Sequence, residues 1–199
     1  MSNDYRWWPW LIANWSRLAL PCAVVTLATL PILFDADHRS VALASTLLPV
    51  YMIHQYEEHA HGRFVAFFNA TVGNGHAVLT DQSAFWINVL GVWVLFLVAL
   101  FLARFVAVGL LLVPVYLTLI NGVIHILTSL RFKRYNPGLS TSVLLFLPWG
   151  IFLLIYTRGA IHSDPLYHLI GLLAAILVHA AIALYAIGTR AKLAAGAAD

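Results

Sequence analysis

Apolar residues run through this chain in long blocks separated by short polar stops. The blocks cover roughly 16–34, 41–68, 83–103, 105–130, 139–156 and 165–187. A helix rises 1.5 Å per residue, so about 20 apolar residues cross a bilayer core of ~30 Å, and each block is near that length. The stops carry turn chemistry: Asp35-Ala36-Asp37-His38-Arg39, the Gly73-Asn74-Gly75 loop within 69–81, Arg104, and Arg131 through Gly138. Pro114 predicts an interruption or bend in the fourth block. The pattern predicts an all-α, polytopic membrane helical bundle of about six transmembrane helices. An interfacial N-terminal segment (1–15) precedes a six-helix domain (16–190), and a short cytosolic tail (191–199) follows it.

Composition sharpens this picture. Of 199 residues 62% are hydrophobic and 10% charged, and the mean hydropathy is +0.87, which excludes an ordinary soluble domain. The pI of about 9.2 arises from few charges and speaks to membrane orientation, with no nucleic-acid partner implied. Cys22 has no thiol partner, so disulfides play no part. Trp7, Trp8, Pro9, Trp10 and Trp15 interrupt any cleavable-signal core, and with Arg17 they suit the headgroup layer. On a six-span topology Arg6, Arg17, Arg63, Arg131, Lys133, Arg134, Arg190 and Lys192 share one side, eight of the eleven cations. Arg39, Arg104 and Arg158 take the other, so both termini are expected in the cytosol.

One stretch does not fit a purely greasy helix. Glu57 and Glu58, the only glutamates, lie in Tyr51-Met52-Ile53-His54-Gln55-Tyr56-Glu57-Glu58-His59-Ala60-His61. At ~100° per residue, His54, Glu57, Glu58 and His61 fall within about 100° of one another, whereas His59 points away toward headgroups or water. Two imidazoles and two carboxylates on one face can hold one divalent cation or bridge two, of the Zn, Fe or Mn kind. The plainer reading is the wet end of a membrane helix. Paired carboxylates inside a bilayer otherwise require a cation, a proton or water.

Other polar groups fall at the same depth: Asn88, Asn121 and His125 (one turn apart on a single face), and His179. Taken singly, Asn88 and Asn121 are interhelical glue and His125 is more often a satisfied hydrogen-bond donor. Taken together they nominate His54, Glu57, Glu58, His125, His179 and His61 as metal ligands and Glu57, Glu58 and Asn121 as catalytic groups. Asn88, Tyr135 and Asn136 would support them. His168 stands about three turns (~16 Å) from His179 and is not expected to share an ion with it. His38, His76 and His162 lie in expected loops and read as solvated.

His54-Gln55-Tyr56-Glu57-Glu58, Asn121-Gly122-Val123-Ile124-His125 and Tyr135-Asn136-Pro137-Gly138 occur in that order. They resemble the HXXEE-motif family of small bacterial integral membrane proteins, which carries HXXEE, NXXXH and YXPG-type motifs in this sequence. The resemblance extends over about residues 45–185. The family pattern favours a Thr soon after the Gly, where this chain has Leu139-Ser140-Thr141. The resemblance implies a membrane enzyme of unassigned activity, located in a bacterial inner (cytoplasmic) membrane. It supports His54, Glu57, Glu58, Asn121 and His125 as functional.

The chemistry that fits first is metal-dependent hydrolysis of a small lipidic or amphipathic substrate taken from the bilayer. An ion would acidify water or polarise the substrate, and a glutamate left free would move the proton. A non-haem iron oxidoreductase is the alternative, because two His and one carboxylate are available. Ferritin-like di-iron sites need about four carboxylates, which the chain does not supply. A proton- or cation-coupled transporter is a third reading; the absence of internal repeats disfavours it.

Overall fold

A computed structural model describes residues 7–33, 36–161 and 164–195. Arg6, Asp35, His162 and the last four residues lie outside the described residues. The chain is helical, with α1 Trp7–Leu33, α2 Arg39–Ser45, α3 Leu47–His59, α4 Arg63–Thr71, α5 Asp81–Phe105, α6 Leu112–Phe132, α7 Leu139–Tyr156 and α8 Pro165–Ala195. Among the described residues, five of the passes are long and apolar enough to cross a membrane. The remaining pass is α2 with α3.

That pass corrects the expectation of one helix over 41–68. Pro49 has no N–H to offer the Ser45 carbonyl, and the chain steps at Thr46, whose N–H reaches Leu43 O at 3.1 Å. The second break follows His59. His61 (φ +63°) and Gly62 (φ +69°) are both left-handed, and α4 leaves in a new direction. The fourth pass differs too. It opens with a 3₁₀ turn at Val108–Leu111, and Pro114 falls in the first turn of α6, where no backbone donor is needed. The tryptophan-rich segment from Trp7 onward forms the first turns of α1.

α3 packs against α1 along one side and against α6 and α7 along another. It is therefore central, and Tyr51, His54, Gln55, Glu58 and His59 are all buried although they point in different directions. Beneath His54 lies a dry aromatic floor. Phe146 stacks at 4.2 Å from the His54 ring and 4.8 Å from Tyr51, and Phe96 closes on Tyr51 at 5.2 Å. Two π-helical stretches, Ile87–Trp93 in α5 and Ser142–Phe146 in α7, face this centre. Such one-residue insertions re-aim side chains and recur at functional sites.

Candidate metal centre

Glu58 lies at the middle of the cluster, 5% exposed. Its Oε2 is 3.5 Å from His54 Nε2 and 3.2 Å from His59 Nε2, and its Oε1 is 3.4 Å from His125 Nε2. His54, Glu58 and His125 offer ligand atoms all within 4.8 Å of one another, a set that can hold a metal ion. Nitrogen and oxygen ligands held tetrahedrally at ~2.0–2.1 Å from zinc lie about 3.3 Å apart. The His54–Glu58 and Glu58–His125 separations are close to that edge length.

Hydrogen-bond direction supports the same conclusion. Thr141 Oγ1 donates its one proton to Glu57 Oε2 at 2.5 Å, so it must accept from His54 Nδ1–H at 2.7 Å. The lone pair of His54 is thereby left on Nε2, which has no hydrogen-bond partner; His125 Nδ1 and Asn136 Oδ1 are also buried and unpartnered. On the other flank the Trp93 indole, which can only donate, gives its proton to Gln55 Oε1 at 2.5 Å. Gln55 Nε2 then donates to Asn88 Oδ1 at 2.9 Å, and Asn88 Nδ2 donates to His59 Nε2 at 3.1 Å and to Ala84 O at 2.8 Å. His59 Nε2 is therefore also an acceptor, facing a carboxylate oxygen. Unprotonated imidazole nitrogens facing a buried carboxylate are repulsive until a cation or a proton sits among them, and a bare buried charge costs several kcal/mol. The donor set fits a divalent ion.

The structure does not bring every sequence-nominated residue to that point. Glu57 is turned away from Glu58. Its Oε1 accepts from the Tyr135 hydroxyl and from Ser140 N–H (3.1 Å), and its Oε2 accepts from Thr141 N–H (2.8 Å) and the Thr141 hydroxyl. It thus caps the start of α7, where backbone donors lack helical partners. His61 leaves the wheel because α3 ends at His59; its Nδ1 lies 3.1 Å from an Arg17 guanidinium nitrogen. His59, expected to face headgroups or water, is instead 7% exposed and packs on Trp15 at 4.9 Å. α1 and α5 cover the side of α3 that a lone-helix projection leaves open.

Asn121 donates to the Tyr51 hydroxyl, and Asn136 Nδ2 reaches His125 O at 3.4 Å. His179 gives Nδ1–H to Ala175 O at 2.8 Å, so Nε2 is its acceptor nitrogen. Away from the cluster, His38 is not simply solvated: its Nε2 lies 2.7 Å from Arg104. His168 Nδ1 pairs with the Tyr116 hydroxyl at 2.9 Å.

A cavity of ≈ 320 Å³ opens beside Glu58 and His125. His179, Asn121 and Tyr51 also line it, as do Phe64, Phe67 and Ile182. Its size and mostly apolar lining with a few convergent polar groups suit a small ligand. Tyr51, Thr141, Trp93 and Gly138, like His59 and Gln55, were not nominated from sequence. Tyr51 was legible, since it precedes His54 by three residues and so shares its face. Thr141 had a local signal in the Thr that the family pattern favours soon after the Gly, whereas Trp93 carries none. Gly138 reads as a turn glycine (φ +96°), yet a Cβ there would lie 2.7 Å from Cε1 of both His54 and His125.

Among the described residues these features define a helical membrane bundle with a buried His/Glu cluster that could hold a metal ion. The family whose model matches residues 45–153 is described as a protein of unknown function with HXXEE motif, and this chain belongs to it. No curated protein and no solved structure matches the chain. α8, with His179, lies beyond the matched residues.

Proposed function

We propose that this protein is a metal-dependent membrane enzyme that hydrolyses a small lipidic or amphipathic substrate, with one divalent ion held by His54, Glu58 and His125. The observation that carries this reading is the convergence of acceptor nitrogens on a buried carboxylate beside an apolar cavity. When bound there, a divalent ion supplies Lewis acidity. The apolar walls would seat the substrate's hydrocarbon and exclude bulk water, which strengthens every electrostatic contact inside. Tyr51, accepting from Asn121, retains its own proton to donate to a substrate oxygen as charge develops there. With Glu57 engaged at the start of α7, the proton acceptor is His179, whose Nδ1–H is anchored on a backbone carbonyl. It takes a proton from water at Nε2 and returns it to the leaving group.

The same residues are two His and one carboxylate, which also suits ferrous iron, so an oxidoreductase is the second reading. On the Lys/Arg bias the site lies in the cytosolic half of an inner-membrane protein. The test is turnover by purified protein in detergent on a panel of lipid esters and amides, with and without chelator. Hydrolysis that chelator abolishes and zinc restores supports the first reading. Turnover that consumes oxygen and needs iron replaces it with the second, and chelator-insensitive hydrolysis contradicts both.

A further inference from the structure

We propose that the two adjacent glutamates divide the work: Glu58 holds the ion, whereas Glu57, acting through Thr141, fixes the His54 ring that shares it. This rests on the metal reading above. On sequence the pair looks interchangeable, since 100° separates neighbours on a helix and both could lean toward one point. The structure separates them. All four contacts of Glu57 are donors from Tyr135, Ser140 and Thr141, and withdrawing its carboxylate would strip the first turn of α7 of its cap.

The Thr141 hydroxyl is the hinge of the arrangement. It has one proton, directed at Glu57, so the oxygen facing His54 is an acceptor, and His54 donates from Nδ1 across 2.7 Å. An imidazole so held presents its Nε2 lone pair toward Glu58 and His125. Ligating histidines commonly give their other N–H to a carboxylate or carbonyl, which sets the tautomer and raises basicity. Here the carboxylate is reached through one hydroxyl. His54 is fully buried and packed on Phe146, so no water competes for Nδ1. Glu57 and Thr141 are therefore positioning residues, and neither touches the ion.

The experiment uses the full chain purified in detergent, with Co²⁺ as the probe. Affinity is read by chelator competition, ligation by the visible cobalt spectrum, and folding by circular dichroism and melting without metal. A ¹⁵N spectrum of the metal-free protein reads the His54 tautomer. Glu58→Gln is expected to abolish Co²⁺ binding. Thr141→Val should keep the stoichiometry, weaken affinity by about 10–100-fold, alter the cobalt spectrum and shift His54 toward the Nε2–H form, and Thr141→Ser should restore all three. Glu57→Gln should also keep the stoichiometry at reduced affinity.

If Thr141→Val lowers the melting temperature but leaves affinity, spectrum and tautomer at wild-type values, Thr141 is merely structural and the proposal is overturned. Loss of stoichiometric Co²⁺ from a folded Glu57→Gln would overturn it too, by making Glu57 a ligand. Wild-type protein that takes up no Co²⁺ would instead remove the metal reading. The tautomer comparison would then show separately whether Thr141 sets the ring.

Discussion

Gly138→Ala places one carbon where the His54 and His125 rings meet. Gly138 has φ +96°, which costs an L residue roughly 1–3 kcal/mol. The added Cβ would lie 2.7 Å from both His54 Cε1 and His125 Cε1, about 0.8 Å inside the ~3.5 Å at which carbon atoms make favourable contact. The His54 ring cannot retreat freely, because it is backed by Phe146 and tied to Thr141. Overpacking adds about 1–3 kcal/mol, so the total loss is roughly 2–6 kcal/mol, and both Nε2 atoms move off Glu58. Gly75→Ala is the control: its φ is +87°, but nothing lies within 4 Å of the added Cβ. The assay is melting in detergent by tryptophan fluorescence, together with Co²⁺ affinity. Both variants should lose backbone stability, and only Gly138→Ala should lose metal affinity, by at least tenfold. Equal metal affinity in the two variants would refute the claim that Gly138 spaces the imidazoles.

Trp93→Phe should cost about 1–3 kcal/mol, the penalty for leaving Gln55 Oε1 buried without a donor, and a denaturant titration in mixed micelles reads it; an unchanged midpoint would mean that the amide chain to His59 can reverse. His179→Gln should keep full metal stoichiometry while turnover falls by about 10²–10⁴-fold, and metal loss in that variant would make His179 a ligand. Burial and then the Glu57 carboxylate hold the Tyr135 phenol above its ordinary value. A folded-state value raised above the unfolded one contributes stability in full below the unfolded value, and that stability is lost as pH rises through the folded value. Wild type should therefore show a fall in melting temperature above about pH 10 that Tyr135→Phe lacks, and parallel profiles would contradict the Tyr135–Glu57 contact.

Much of the architecture was legible because long apolar blocks admit few alternatives. His54, Glu58 and His125 were legible for a related reason, since polar groups at one depth in a greasy chain have few other uses. The places where the geometry differs from expectation have a common physical origin. Helical-wheel reasoning treats α3 as having an inside and an outside, but α3 meets α1, α6 and α7 and touches Asn88, Trp93 and Phe96 of α5, so His59 and Gln55 are buried along with His54. The wheel also assumes that the helix continues, and the left-handed pair His61–Gly62 ends it. Glu57 turns to partners, the backbone donors of Ser140 and Thr141, that lie more than 80 residues along the chain and exist only once α7 begins there. No spacing rule on α3 could have shown them.

The central claim is that Glu58 stays buried because an ion shared with His54 and His125 neutralises it. Elemental analysis of protein purified without added metal, wild type beside Glu58→Gln and His125→Ala, tests it most directly. One transition-metal ion per chain in the wild type, and none in either variant while both remain folded, is the predicted result. A folded wild type that carries no such ion and takes none up on dialysis against zinc, iron or manganese would contradict it.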